Sequence, residues 1–110
     1  PELEFFRQNL PNLHINKLWF TGMLTAGQTE FNVHYIDPNS NALRTYYPDF
    51  LLELDDGTYL IVEIKGDHMI DDPVTQAKKS YAERMAEASR MRYRLIPGSQ
   101  AGRRIDFFKV

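Results

Sequence analysis

Little else in this chain constrains its fold as strongly as one tight reversal. Asp55-Asp56-Gly57-Thr58 sits between two apolar runs, Phe50-Leu51-Leu52-Glu53-Leu54 and Tyr59-Leu60-Ile61-Val62-Glu63-Ile64-Lys65. Asp-Gly between such runs is a strong hairpin signal, because glycine reaches the backbone conformations that tight hairpin turns demand. The stretch from Tyr46 to Asp67 therefore reads as strand, turn, strand, with strands over Tyr46–Leu54 and Tyr59–Lys65. That pairing places Asp49 and Glu63 on adjacent antiparallel strands.

Alternate side chains of a strand point to opposite faces, so Leu60, Val62 and Ile64 share one face while Glu63 and Lys65 share the other. The expectation is one core face and one charged face. Asp49, Glu63 and Lys65 then converge at the end of a largely apolar sheet, where charges are costly unless paired or metal-bound. Two carboxylates held close repel, and one takes up a proton unless a cation offsets the charge. Mg²⁺ suits one or two carboxylates plus waters and phosphate, with Mn²⁺ as substitute, and an adjacent lysine can neutralise charge developing on phosphate. Phosphodiester hydrolysis fits these residue types; a plain ion pair of Lys65 with Glu63 or Asp49 is the competing reading.

Pro48-Asp49 followed by Glu63-Ile64-Lys65 resembles the PD-(D/E)XK nuclease superfamily. The longer run, Tyr47-Pro48-Asp49-Phe50 through Asp56-Gly57 to Glu63-Ile64-Lys65-Gly66, is similar to the C-terminal endonuclease domain of type III restriction subunits. The resemblance implies an α/β, restriction-endonuclease-like core, a mixed β-sheet flanked by helices in the order αβββαβ. It implies Asp49 and Glu63 as catalytic metal ligands, the Ile64 backbone carbonyl as a further ligand, and Lys65 as the catalytic lysine. It implies double-stranded DNA as substrate, helicase/ATPase domains of the same polypeptide that alone would use ATP, and a methyltransferase subunit as partner; it also leaves room for a homodimer. A catalytically silent domain of the same fold, binding nucleic acid or a partner subunit, is the alternative.

At 110 residues the chain is long enough for one core, and it reads as a single domain over residues 1–110. Pro1 in place of an initiator methionine reads as an excised fragment of a larger protein. With 43% hydrophobic and 25% charged residues it is expected to fold, and no apolar run is long enough to span a bilayer. The absence of cysteine excludes disulfides and suits a cytoplasmic location. A net charge of −2 is unusual for a free-standing DNA binder. The charge is unevenly spread: residues 1–88 hold seven Lys or Arg against fourteen Asp or Glu, and residues 89–110 hold six against one. Arg90, Arg92, Arg94, Arg103, Arg104 and Lys109 thus form a candidate phosphate-contact edge, or an ordinary solvated face.

Around the hairpin, Leu3, Phe6 and Leu10 at helical spacing predict a short helix over 2–10, ended by Pro11. Superfamily members often carry a further acid on such a helix, which makes Glu4 an additional candidate with Glu2 in reserve; both also simply complement a helix dipole. Lys17–Phe20 is a short apolar segment, and Gly22 and Gly27 suggest a turn. Alternation over Thr29–Ile36 predicts the first strand, closed by the Asp37–Asn41 turn cluster, with His34 either facing the catalytic side or a surface or hydrogen-bonded group. Asp67 and His68, in the loop after the hairpin, are candidates for extra ligands, against a polar active-site loop with no direct metal role. Asp72-Pro73 reads as a cap and first helical residue, opening a helix over Val74–Ala88 with an apolar stripe of Val74, Ala77, Tyr81, Met85 and Ala88. Gln76 and Lys79 near its start are candidates for positioning phosphate or water, against plain helix-surface polarity and a Lys79–Glu83 pair. Strands over Met91–Ile96 and Arg104–Lys109 complete the chain. No phosphate-binding glycine loop and no zinc-type ligand spacing is present, which argues against an ATPase or zinc site in this segment.

Overall fold

The computed structural model describes residues 2–9, 14–21 and 31–102, apart from the side chains at 2–4, 6 and 101. In chain order the elements are α1 (Glu2–Asn9), β1 (Ile15–Trp19), β2 (Val33–Ile36), β3 (Leu43–Tyr46), β4 (Phe50–Leu54), β5 (Tyr59–Lys65), a 3₁₀ turn (Asp67–Met69), α2 (Pro73–Ala88), β6 (Arg92–Pro97) and α3 (Gly98–Ala101). A four-stranded sheet runs β1-β4-β5-β6, mixed because β5 and β6 are parallel and the other pairs antiparallel. The parallel pair requires a crossover, which α2 supplies. The fold is therefore α/β with a restriction-endonuclease-like core.

The hairpin forms as its turn residues require. Leu54 N donates to Thr58 O at 2.8 Å, Gly57 takes φ +85°, and Asp56 Oδ1 accepts from both Thr58 N and Thr58 Oγ1. Phe50 faces Val62 and Leu52 faces Leu60. The strand expected over Tyr46–Leu54 is interrupted, however, with β3 ending at Tyr46 and β4 starting at Phe50. Pro48 lies in the gap and is fully buried. Proline has no N–H for a ladder and holds the residue before it extended, so pairing stops there and resumes beyond it. Thr21 Oγ1 donates to the Pro48 carbonyl, anchoring the break from another part of the chain.

The expected first strand also has a different partner. Its described part, β2, pairs with β3 in a separate two-stranded ribbon (Val33 with Tyr46, Tyr35 with Arg44) that packs against α2. The flank of β4 is taken by β1, from the segment read only as short and apolar, with Leu18 opposite Leu52 and Ile15 opposite Leu54. Alternation identifies a half-buried strand but does not name its neighbour. Asp37 closes the ribbon by accepting from Arg44 Nε at 2.9 Å and from Asn39 N at 2.8 Å. The strand expected over 104–109 lies outside the described residues.

One face of the sheet holds the core. Phe50, Leu52, Leu54, Leu60, Val62, Ile64 and Ile96 cluster there with Phe5 of α1. The other face of β5 is not simply charged, because Ile61 and Glu63 are buried as well. Helix α2 starts on the expected cap, with Asp72 Oδ2 accepting from Val74 N at 3.0 Å and Thr75 N at 3.4 Å, and with Pro73 first in the helix. Its buried residues are Thr75, Ala82 and Ala86, one position out of phase with the apolar stripe expected from Val74 to Ala88. Small side chains let a helix lie close to a strand layer, so the larger Val74, Tyr81 and Met85 are left half-buried along the flank. No helix among the described residues is long and apolar enough to cross a membrane.

Candidate active site

The break at Pro48 determines what the end of the hairpin exposes. Continuing the register from Phe50–Val62 puts Asp49 beside Glu63 and Pro48 beside Ile64. Ile64 N would ordinarily pair across the ladder; here it donates to Asp49 Oδ2 at 2.8 Å. In a strand the N–H and C=O of one residue point to the same side, so the Ile64 carbonyl faces the same gap. Pro48, opposite, has no N–H to offer it. One interruption thus orients the Asp49 carboxylate and leaves a backbone oxygen beside it.

Asp49, Glu63 and Lys65 line one cleft of about 160 Å³, together with Tyr46, Tyr47, Thr75, Lys78, Tyr93 and Leu95. Glu63 is buried, and its Oε1 has no hydrogen-bond partner and no access to solvent. Burial, then the charge of Asp49, push the Glu63 carboxyl up from 4.5 to about 8, against the opposing pull of Lys65 and Lys78; a hydrogen bond with Asp49 adds to the rise. At neutral pH without a cation, Glu63 is therefore mostly protonated. Burial and the Glu63 charge also hold the Tyr46 and Tyr93 phenols well above the usual tyrosine range, so both stay neutral hydroxyls beside the carboxylate.

Lys78 reaches the cleft from α2. Its Nζ lies 5.2 Å from the Tyr46 ring centroid and 5.6 Å from that of Tyr35. Burial and the like charge of Lys65 lower its ammonium below the usual lysine value, with Glu63, Asp37 and Asp49 opposing. Thr75 enters the same cleft one turn earlier. Neither residue stands out in the sequence, because both are polar and the stripe is read from apolar residues. A signal was there: Thr75, Lys78, Ala82 and Ala86 recur at helical spacing, small residues with one lysine among them.

The other candidates lie elsewhere. Gln76 Nε2 donates to the Ile70 carbonyl at 2.6 Å and fastens the loop before α2. Lys79 pairs with Glu83 at 3.7 Å on the outer side of the helix. A rotation of 100° per residue explains both, since each neighbours a residue that does face the cleft. Glu4 and Glu2 belong to α1, and their side chains are outside the described residues. Asp67 accepts from Ser99 N at 3.0 Å, joining the loop after β5 to α3. His34 meets Thr45 Oγ1 at 2.9 Å on the exposed side of the ribbon. Arg92 and Arg94 register with Leu60 and Val62, on the face opposite Glu63. They therefore do not border the cleft, and Arg103, Arg104 and Lys109 lie outside the described residues.

The donor set fits a hard divalent cation. A buried carboxylate oxygen lacks a partner, a second carboxylate sits beside it, and a backbone carbonyl faces the same gap; oxygen donors of this kind suit Mg²⁺ with several retained waters. No cluster of three or more His, Cys, Asp or Glu capable of holding a metal occurs among the described residues, so the remaining positions would fall to backbone, water or substrate oxygens.

Two acids and a lysine at the broken end of an antiparallel pair, followed by a crossover helix and a parallel strand, define a restriction-endonuclease-like domain of the PD-(D/E)XK kind. The family model for the TnsA-like endonuclease N-terminal domain matches residues 25–97, and the chain belongs to that family. The matched segment carries Asp49, Glu63, Lys65 and Lys78. Comparisons with curated proteins and with solved structures gave no match.

Proposed function

We propose that this chain is a metal-dependent endodeoxyribonuclease domain that hydrolyses phosphodiester bonds of double-stranded DNA. The observation that carries the reading is the buried Glu63, with a partnerless oxygen, beside Asp49 and Lys65 in one cleft. Asp49, Glu63 and the Ile64 carbonyl would hold Mg²⁺, or Mn²⁺ in its place. When bound, the cation would supply Lewis-acid stabilisation of the phosphate, and Glu63 would hold it as the ionised carboxylate. Lys65 faces the phosphate and offsets charge gathering on its non-bridging oxygens. The water oxygen bonds to phosphorus and gives up a proton to solvent, the bond from phosphorus to the leaving sugar oxygen breaks, and that oxygen takes up a proton.

The net acidic charge makes tight DNA binding by this chain alone a poor expectation, so partner domains are proposed to supply affinity. The family match supports a TnsA-like nuclease. A type III restriction enzyme, with helicase/ATPase domains and a methyltransferase subunit in a cytoplasmic complex, is the second reading, favoured by the run from Tyr47 to Gly66. Calorimetric titration of Mg²⁺ and Mn²⁺ into the wild type and the Asp49→Ala variant tests the centre. Saturable binding that the variant loses, accompanied by metal-dependent nicking of plasmid DNA by the full-length protein, is expected. Binding unchanged by the substitution would remove Asp49 from the site, and metal binding without cleavage would favour a silent domain.

A further inference from the structure

Lysines do not crowd into one cleft without a reason, because like charges placed together repel. Yet Lys78 is brought into the cleft beside Lys65 by the inward stripe of α2, flanked by Thr75 and Ala82. It is held there by two aromatic faces, Tyr35 from β2 and Tyr46 from β3, with its Nζ within 5.6 Å of both ring centroids. Placement of a cation over two rings is favourable and directional. The β2–β3 ribbon, which takes no part in the main sheet, therefore serves to fix the position of this ammonium group.

Charge counting indicates what the second lysine is for. Asp49 and Glu63 together carry −2 when ionised, and a divalent cation cancels it. Lys65 and Lys78 then remain, with +2 between them. A phosphodiester carries −1, and attack by a deprotonated water raises the reacting group to −2. One lysine balances the bound substrate; two balance the reacting phosphate.

We propose that Lys78 is a second phosphate-contacting lysine of this centre, paired with Lys65 and positioned by Tyr35 and Tyr46 to meet the charge that appears as the phosphodiester is attacked. The inference rests on the nuclease reading above. It differs from the sequence expectation, which looked to Gln76 and Lys79 on the outer phases of the helix.

Lys78→Met keeps an unbranched chain against the two rings and removes the charge, whereas Lys78→Arg keeps the charge. The measurement is single-turnover cleavage of a DNA duplex by the full-length protein under saturating enzyme, with Mn²⁺ titration and the salt dependence of DNA binding in Ca²⁺ run alongside. Lys78→Met is expected to bind Mn²⁺ as the wild type does and to lose about 10²-fold in cleavage rate. Its DNA-binding salt slope should fall by about 0.9, the share of one phosphate contact, and Lys78→Arg should recover a substantial part of the rate. A Lys78→Met variant that cleaves at the wild-type rate with an unchanged salt slope would overturn the proposal while leaving the nuclease reading intact. A wild type that neither binds Mn²⁺ nor cuts would bring down the nuclease reading and the role of Lys78 with it.

Discussion

Raising the pH of the metal-free protein from about 5 to about 9 is expected to destabilise it, and the effect should reside in one residue. Glu63 has an ordinary carboxyl value of 4.5 in the unfolded chain and about 8 in the fold, chiefly because it is buried and secondarily because Asp49 is beside it. Between those values the folded state binds a proton that the unfolded state has released. Stability therefore decreases as pH rises through that window; the contribution is complete below about 4.5 and lost above about 8. At roughly 1.4 kcal/mol per pH unit the gap amounts to ~5 kcal/mol, a ceiling because Lys65 and Lys78 can move toward the newly charged oxygen. Small domains have a total stability of about 5–15 kcal/mol, so even half of that loss would lower Tm by roughly 10 °C. The assay is thermal unfolding in chelator at constant ionic strength across this range, comparing the wild type with Glu63→Gln. The variant keeps the size of the side chain and a donor toward Asp49, yet cannot ionise, so its profile should lack the Glu63 contribution. Mg²⁺ or Mn²⁺ at 100 times its Kd should restore about 2.7 kcal/mol to the wild type near pH 8 by binding the folded state alone. Equal slopes for wild type and Glu63→Gln through this window would refute the assignment of a buried, cation-seeking carboxylate.

Lys65→Ala is expected to leave Mn²⁺ affinity within a few-fold of wild type while lowering cleavage about 10²-fold or more, read by calorimetry and single-turnover kinetics; unfolding of the variant instead would favour a structural ion pair. Ala82→Leu puts a large side chain where α2 is fully buried, and should cost about 1–3 kcal/mol in denaturant unfolding. A Leu variant as stable as the wild type would mean that α2 does not pack as closely as its buried alanines indicate.

Residues near one another in sequence carried much of the fold. The Asp55–Thr58 turn, the Asp72 cap with Pro73, and helix α2 over Pro73–Ala88 are all local, each depending on backbone conformations or hydrogen bonds within a few residues. The hairpin alone brings Asp49 opposite Glu63, because a short turn fixes the register of the strands it joins. Three of the cleft residues were thus legible before any tertiary contact was known. The interruption at Pro48, inside a strand expected to run from Tyr46 to Leu54, has its reason in the missing proline N–H.

What the sequence left open depends on which surfaces meet. Alternation marked β2 as a strand, but it could not say that β4 would take β1 as its neighbour and leave β2 and β3 as a ribbon against α2. Apolar spacing located α2 and assigned its inward phase to the large residues Val74, Tyr81 and Met85. Packing selected Thr75, Lys78, Ala82 and Ala86 instead, because a helix lying close to strands buries its small side chains and lets the large ones cover its flanks. Along that row Lys78 reaches the cleft, while Gln76 is taken up by the Ile70 carbonyl and Lys79 by Glu83. The chain by itself determined the two acids, the first lysine and the turn that joins them, since these depend on neighbours in sequence. Tertiary structure decided the burial that raises Glu63 and the arrival of the second lysine, since both depend on elements far apart in sequence packing against one another.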